Sequence, residues 1–435
     1  MSTALLDIND SNLQLWRGDT HLQSPGYALL DGRNYQFGHS ARAAARLRPR
    51  EVTTRYWWQL STQPLQPALG PARHSADLVH AHLLQLHREA GQPESLILTV
   101  PDSMEREQLA LLLGIIETCP FDAVGLVNRS VALAQHLPSG DPVFHLEFQL
   151  HQALLTELQE ENGQRRLLRS QPLAGCGVLQ LQERLIELIA TAFIRQTRFD
   201  PRRKADTEQQ LYNALPTALA DLQRSGESNI EINGYSARLN AAALQEASQS
   251  LFTGIRDIVG SGGYRLIADP LAGLLPGIHS ALPSLAVLAS NQLAKARPLL
   301  ENELPKGDAA LALLKALPYS STATQSSALE PSAAQVAIVE PETEAPRQTA
   351  PPRSKGPSHL LQGYNARPLR AEGTPLSGGW ELYLDQQQWL LRGPNDSAAT
   401  VNGQVYSTGR GIHCGDTLAI AGVVAGVLIE VEDTE

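Results

Sequence analysis

Between Leu96 and Ala134 the apolar residues change period three times, and few folds accept that pattern. Leu96 to Val100 is a short apolar run ended by Pro101, as a buried strand would be. Asp102 is placed to cap the next helix, with Glu105 three residues on as its reciprocal partner. Leu109, Leu112, Leu113 and Ile116 then recur at helical spacing. Val124 to Val127 makes a second strand, and the alanines after Ser130 open a second helix. Strand, helix, strand, helix in this order points to an α/β layer architecture.

The chain has 435 residues, enough for two or three domains, and 42% of them are hydrophobic, so a sizeable core is within reach. Its formal net charge of -10 gives no attraction to nucleic acid or anionic membranes. Arg42, Arg46, Arg48, Arg50 and Arg55 form a local basic cluster, either a solvated helix face or a partner site. Cys119, Cys176 and Cys414 lie far apart with no C-x-x-C pair, which suggests buried thiols in a reducing compartment. The start, Met1 to Asp7, lacks the basic and long apolar regions of a signal peptide. Leu266 to Leu288 is apolar but is interrupted by Asp269, Pro270, Pro276, His279 and Pro283, which argues against a membrane span. A soluble cytoplasmic protein without direct membrane insertion is expected.

Composition divides the chain into three parts. Residues 1–318 alternate strand-like and helix-like segments. Residues 319–357 are rich in Ser, Thr, Ala, Pro and Glu and read as a flexible linker, because such a composition cannot bury a core. Residues 358–435 carry short strand signals at near-regular spacing. Within the first part, hairpins are expected around the Asn9–Asn12 turn, the Asp31-Gly32 turn and the Asn233-Gly234 turn. Helices are expected at 39–48, 179–193, 206–223 and 241–259, and strands near 143–158 and 264–269.

The block from Thr99-Val100-Pro101 through Val127-Asn128-Arg129-Ser130-Val131 resembles the matching strand-helix-strand-helix of the DnaK-type heat-shock chaperones, members of the actin-like ATPase superfamily. The order of elements over residues 1–300 is similar too. A generic alternating α/β protein is the alternative. The resemblance implies a two-lobed nucleotide-binding-domain fold in which two β-hairpins hold the ATP phosphates. Glycine is needed at such turns so that backbone N–H groups can approach a phosphate.

At the positions that match, the family's residues have changed. The first hairpin, similar to D-L-G-T-T-N-S, is Asp7, Ile8, Asn9, Asp10, Ser11, Asn12. Its aspartate is kept as Asp7, and Asn9, which can adopt a left-handed turn, replaces the glycine. The second, similar to F-D-L-G-G-G-T, is Leu146, Glu147, Phe148, Gln149, Leu150, His151, Gln152, without glycine. Arg129 stands where the family has its catalytic glutamate, and the adenosine-side strand reaches Asp269 without the paired glycines. No catalytic residue is therefore assigned. Asp7, Arg129 and Glu147 mark degenerate catalytic positions. Asp7, Asn9, Ser11, Asn12, Glu147, Gln149 and Asp269 mark a degenerate nucleotide pocket. A cation cannot act as general base at neutral pH. Three outcomes follow: a fold kept without catalysis, nucleotide or anion binding without hydrolysis, or an active ATPase. The first implies no cofactor, the others ATP with magnesium. Asn9, Gln149, His151 and Arg129 are expected to fill the cleft, with Glu147 near enough to pair with Arg129. No metal-binding spacing is evident among the twelve histidines.

The C-terminal part is expected to be a small all-β sandwich or barrel. Asn402-Gly403 followed by Gly415-Asp416 resembles the closing strands of forkhead-associated domains, although Gly409-Arg410 is out of order for phosphothreonine binding. The function expected of the whole is that of a chaperone-like scaffold or adaptor with a protein partner and no nucleic acid. A DnaK-like chaperone with weak ATPase activity and an actin-like assembly or secretion-apparatus component are the alternatives.

Overall fold

The computed structural model describes residues 3–304, 311–319, 357–362, 365–376, 379–385, 388–394, 399–402, 404–420 and 423–429. The expected linker at 319–357 lies almost entirely outside them. The chain separates into two compact units, Met1–Ile338 and Val339–Glu435, and the boundary falls inside that same stretch. Mixed α/β structure makes up the first unit.

The first unit begins with the hairpin β1 (Thr3–Asp7) and β2 (Leu13–Arg17), followed by β3 (Thr20–Ser24). Next come the hairpin β4 (Ala28–Asp31) and β5 (Asn34–Phe37), the one-turn helix α1 (His39–Ala43), and β6 (Val52–Thr53). Then β7 (Pro64–Leu69) and β8 (Ala72–His74) pair before α2 (Ser75–Glu89). The expected alternation follows: β9 (Ser95–Val100), α3 (Arg106–Ile116), β10 (Asp122–Asn128) and α4 (Arg129–Leu133). The meander β11 (Val143–Phe148), β12 (Ala153–Glu161) and β13 (Gln164–Leu173) leads into the long helices α5 (Val178–Thr197) and α6 (Ala205–Ser225). After the hairpin β14 (Glu227–Ile232) and β15 (Tyr235–Asn240) come α7 (Ala241–Leu244), α8 (Gln249–Val259), β16 (Arg265–Ala268), α9 (Ile278–Ala281), β17 (Leu285–Val287) and α10 (Gln292–Glu303).

Two six-stranded sheets organise these elements. The first runs β18-β10-β9-β1-β2-β3 and the second β17-β16-β11-β12-β13-β19, where β18 is Leu313–Leu314 and β19 is Ala316–Pro318. Each sheet repeats one plan: three consecutive antiparallel strands, then two more added parallel to the first strand of the three. Helical segments make the parallel connections, as they must when a strand returns in the same direction. The two sheets are joined by a shared apolar cluster that includes Leu5, Ile97 and Val127 from the first and Val143, Leu158 and Ile267 from the second. The segment 313–318 joins them again, as a strap. Leu313 and Leu314 pair with Leu126 and Val127, and Ala316 to Pro318 pair with Arg166 to Gln164. Lys315, between the two, reaches Asp102 with an Nζ–Oδ1 distance of 2.9 Å.

Several local expectations need correction. Asp102 does not cap α3: Glu105 is the N-cap residue and Gln108 its reciprocal partner, because Pro101 to Met104 form a turn and Lys315 engages Asp102. Of the helix expected at 39–48, only His39–Ala43 is helical and the rest is turn. The expected helix 241–259 is broken by a 3-10 turn at Gln245–Ser248. Cys414 is exposed, unlike the buried Cys176.

In the second unit the described ladders are all antiparallel. One sheet runs β21 (Asn365–Pro368), β20 (His359–Gln362), β28 (Val423–Ile429), β27 (Thr417–Ile420), β25 (Ala399–Val401), β26 (Gln404–Val405). The other runs β22 (Thr374–Pro375), β23 (Glu381–Asp385), β24 (Gln388–Arg392). One core, containing Leu360, Leu382, Trp389, Val401 and Leu418, draws on both sheets. Asn402, with φ 52°, bonds Asp416 through Nδ2–Oδ1 at 2.7 Å and accepts from the Thr417 N–H at 2.9 Å. Asn402 and Asp416, each part of a turn signal in the sequence, therefore tie two turns together.

Candidate functional site

The C-terminal ends of β1, β10, β11 and β16 converge, and each delivers one charged side chain. Asp7 ends β1, Arg129 follows β10 at the start of α4, Glu147 lies near the end of β11, and Asp269 follows β16. Asn128 fixes the turn that aims Arg129, since its Oδ1 accepts from the Val131 N–H at 3.1 Å and caps α4. Register does the rest. Asp7 pairs with Thr99 across β1 and β9, and Leu146 pairs with Ala268 across β11 and β16.

The Arg129 guanidinium sits at the centre and is buried. Its Nε donates to both carboxylate oxygens of Asp7, at 2.9 and 3.0 Å. Its Nη1 and Nη2 donate to Asp269, at 3.1 and 2.9 Å, in the two-pronged geometry that suits a planar guanidinium. Glu147 lies 3.4 Å from Nη1. Outer contacts hold each carboxylate. Thr99 donates to Asp7 at 2.8 Å, the Phe148 N–H to Asp269 at 3.3 Å, and Gln149 Nε2 to Glu147 at 2.8 Å. His145 Nδ1 bonds Ser130 Oγ at 2.8 Å, and its Nε2 lies 3.5 Å from Asp269.

One guanidinium among three carboxylates does not keep all three ionised with equal ease. Burial works to raise the pKa of Asp269, but Arg129 and His145 outweigh it and hold this carboxyl below its ordinary value. At Asp7 and Glu147 burial prevails over Arg129 and the pKa is raised. Burial also opposes the charge on Arg129, yet Asp269, Asp7 and Glu147 together raise its pKa well above the ordinary value. The arrangement is thus a buried ion pair between Arg129 and Asp269, flanked by two carboxyls that hold protons more tightly than usual.

The neighbouring turns have their own partners. Asn9 does not adopt the expected left-handed conformation. Its Oδ1 accepts from the Ser11 N–H at 3.0 Å and from Ser11 Oγ at 2.9 Å, so the buried side chain closes an Asx turn. The chain comes back at Asn12, whose N–H donates to the Asn9 carbonyl at 3.0 Å. In the second turn the Gln149 N–H donates to the Gln152 carbonyl at 2.8 Å, and the Gln149 side chain bonds Ser103 and Gln152. The Gln149 and Leu150 carbonyls accept from the Val178 and Leu179 N–H groups, the first orphan donors of α5. His151 is stacked on Trp58 and bonded to Thr54.

The structure therefore brings together Asp7, Arg129, Glu147 and Asp269. Gln149 adjoins them through Glu147, while Asn9, Ser11 and Asn12 form a turn of their own. Sequence reasoning did not single out Asp10, Thr99 or His145 as part of the site. Asp10 is buried, accepts from the Leu150 N–H at 2.8 Å and leaves Oδ2 without a partner. Burial first, and then Glu147, push its pKa up to about 7. Among the described residues no cluster of His, Cys, Asp or Glu is arranged to hold a metal, and no helix is long and apolar enough to cross a membrane. No protein-family model matches the chain, and none of the curated proteins compared with it matches in sequence.

Proposed function

We propose that this chain is a degenerate DnaK/actin-like protein that has given up ATP turnover and works as a chaperone-like scaffold or adaptor for a protein partner. The observation that carries this reading is the Arg129 guanidinium, fixed by Asp7 and Asp269 where the family's phosphate-binding hairpins would meet. A buried arginine so paired offers no base to activate water. Its charge is already matched by carboxylates, which leaves little to attract a triphosphate. The repeated sheet plan supports the two-lobed actin-like fold within the mixed α/β architecture, because each lobe of that fold is built on such a sheet. Arg129 and Asp7 then belong to one lobe and Glu147 and Asp269 to the other, so the ion pair holds the lobes together in place of a nucleotide.

Thermal unfolding with and without ATP and magnesium tests this directly. A ligand stabilises only the state that binds it, by about 2.7 kcal/mol at a hundred times its dissociation constant. The expected result is an unchanged Tm, together with no phosphate release above background. An ATP-dependent rise in Tm, or turnover abolished by Asp7→Ala, overturns the reading.

A further inference from the structure

The basic cluster noted in the sequence is not one uniform surface. Arg48 pairs with Glu51 and Asp31. Arg46 lies 3.8 Å over the Tyr212 ring, pairs with Glu183, and has Glu208 at 3.9 Å. Its backbone N–H donates to Gln209 Oε1 at 2.8 Å, and Gln209 Nε2 reaches the Arg42 carbonyl at 3.4 Å. These contacts tie the 42–54 segment to α5 and α6, and between the ties lies a cavity of about 190 Å3. At about 30 Å3 per water in the liquid, that is room for a compact organic molecule.

Four polar side chains, Arg42, Tyr27, Gln182 and Tyr212, are among those lining this cavity. The Tyr212 hydroxyl is buried as well, and Glu183 lies near it but outside hydrogen-bonding geometry. Burial, and then Glu183, push the Tyr212 pKa up, so the group stays a protonated donor. Burial also raises the Tyr27 pKa, against the opposing charges of Arg42 and Arg46. A buried donor without an acceptor is costly, and native interiors rarely keep one. Here the Tyr212 hydroxyl is such a donor, and the Arg42 guanidinium and the Tyr27 hydroxyl line the same cavity. Val52 and Leu179 supply apolar wall. Glu183 and Glu208 do not line the cavity, but both pair with Arg46, which does, so Arg42 is the lining arginine that remains for an anion.

We propose that this cavity binds a small organic oxyanion, a phosphate ester or a carboxylate, with Arg42 pairing to the oxyanion and the Tyr27 and Tyr212 hydroxyls donating to it. None of these residues belongs to the Arg129 cluster, so the site stands whether or not that cluster excludes ATP. A ligand held there bridges the 42–54 segment and the two long helices.

The test is calorimetric titration of the full chain with inorganic phosphate and with succinate, at constant ionic strength and with sodium chloride as control. Saturable binding of at least one probe is expected, accompanied by a rise in Tm. Arg42→Gln should abolish it, and Tyr212→Phe, which removes only the hydroxyl, should weaken it about tenfold. Folding of each variant is checked by circular dichroism, and Tyr27→Phe replaces either variant that fails. Preference for phosphate over succinate, or the reverse, assigns the head group. Absence of saturable binding by both probes, or equal binding by wild type and the folded variants, overturns the proposal.

Discussion

Arg129 shows how strongly a buried side chain depends on its neighbours. Removing it leaves Asp269 and two further carboxyls in a buried volume with no counter-charge. Breaking a buried pair from one side costs on the order of 3–5 kcal/mol. Arg129→Ala is therefore expected to lower the Tm clearly, and the loss should lessen at acid pH, where the remaining carboxyls can be neutral. Chemical denaturation at pH 5 and pH 8 measures both. Asp10 makes a different prediction. Its pKa rises from an ordinary 3.8 to about 7 in the folded protein, so between these values the folded state holds a proton that the unfolded chain has released. The stability that Asp10 contributes is thus greatest below about pH 4 and is lost as pH rises toward 7. Asp10→Asn keeps an oxygen for the Leu150 N–H and cannot ionise. The variant should match wild type near pH 4 and exceed it by about 2–4 kcal/mol at pH 8. The difference between the two curves is the proper measure, because His82, with its pKa lowered to about 3 by burial, loses stability as pH falls through part of the same range. A constant difference across pH would refute the assignment.

At the scale of elements, the turn Gln149–Gln152 and the start of α5 form one unit. The helix lends its first N–H groups to the turn's carbonyls, and Gly177 makes the approach possible. A Cβ at Gly177 would lie 2.4 Å from the His151 carbonyl carbon and 2.5 Å from the Gln152 nitrogen. Gly177→Ala is expected to push turn and helix apart and to cost about 1–3 kcal/mol, the range for overfilled packing. Retention of wild-type stability in a urea titration would show that the contact is not needed. This scale also shows what the sequence makes legible. The strand-helix alternation at 96–134 is written in its periodicity, and the Asn233-Gly234 hairpin in its turn residues. The nearness of Arg129 to Glu147 could be argued because each replaces an expected group in a matching segment. Asp269, which makes the two-pronged contact, could be placed only on the adenosine side of the pocket. It lies 140 residues from Arg129, and only the pairing of β16 with β11 brings it there. Asn9 misled for a local reason: an asparagine that can turn left-handed can also close a turn with its own side chain, and the serine two residues on decides between them. Asp102 misled because Lys315, its partner, lies 213 residues away.

For the molecule as a whole, the two repeated sheets make a scaffold whose joint is apolar around Val127 and Ile267 and ionic around Arg129. The strap at 313–318 adds to this a consequence for where the chain can be divided. A sheet ends in a row of unpaired N–H and C=O groups, which invites another chain to dock. Residues 313–314 cover part of that row beside β10, at Leu126 and Val127, and residues 316–318 cover part of it beside β13, at Gln164 to Arg166. A fragment that stops at Leu304 uncovers both at once, on two different sheets. One that continues through Tyr319 uncovers neither. The shorter fragment should self-associate in size-exclusion chromatography and the longer should not, even though only fifteen residues separate them. Equal behaviour of the two would mean that these edges are protected by other means. Residues 313–318 thus act as a selvedge: they keep both fabrics from fraying into their neighbours.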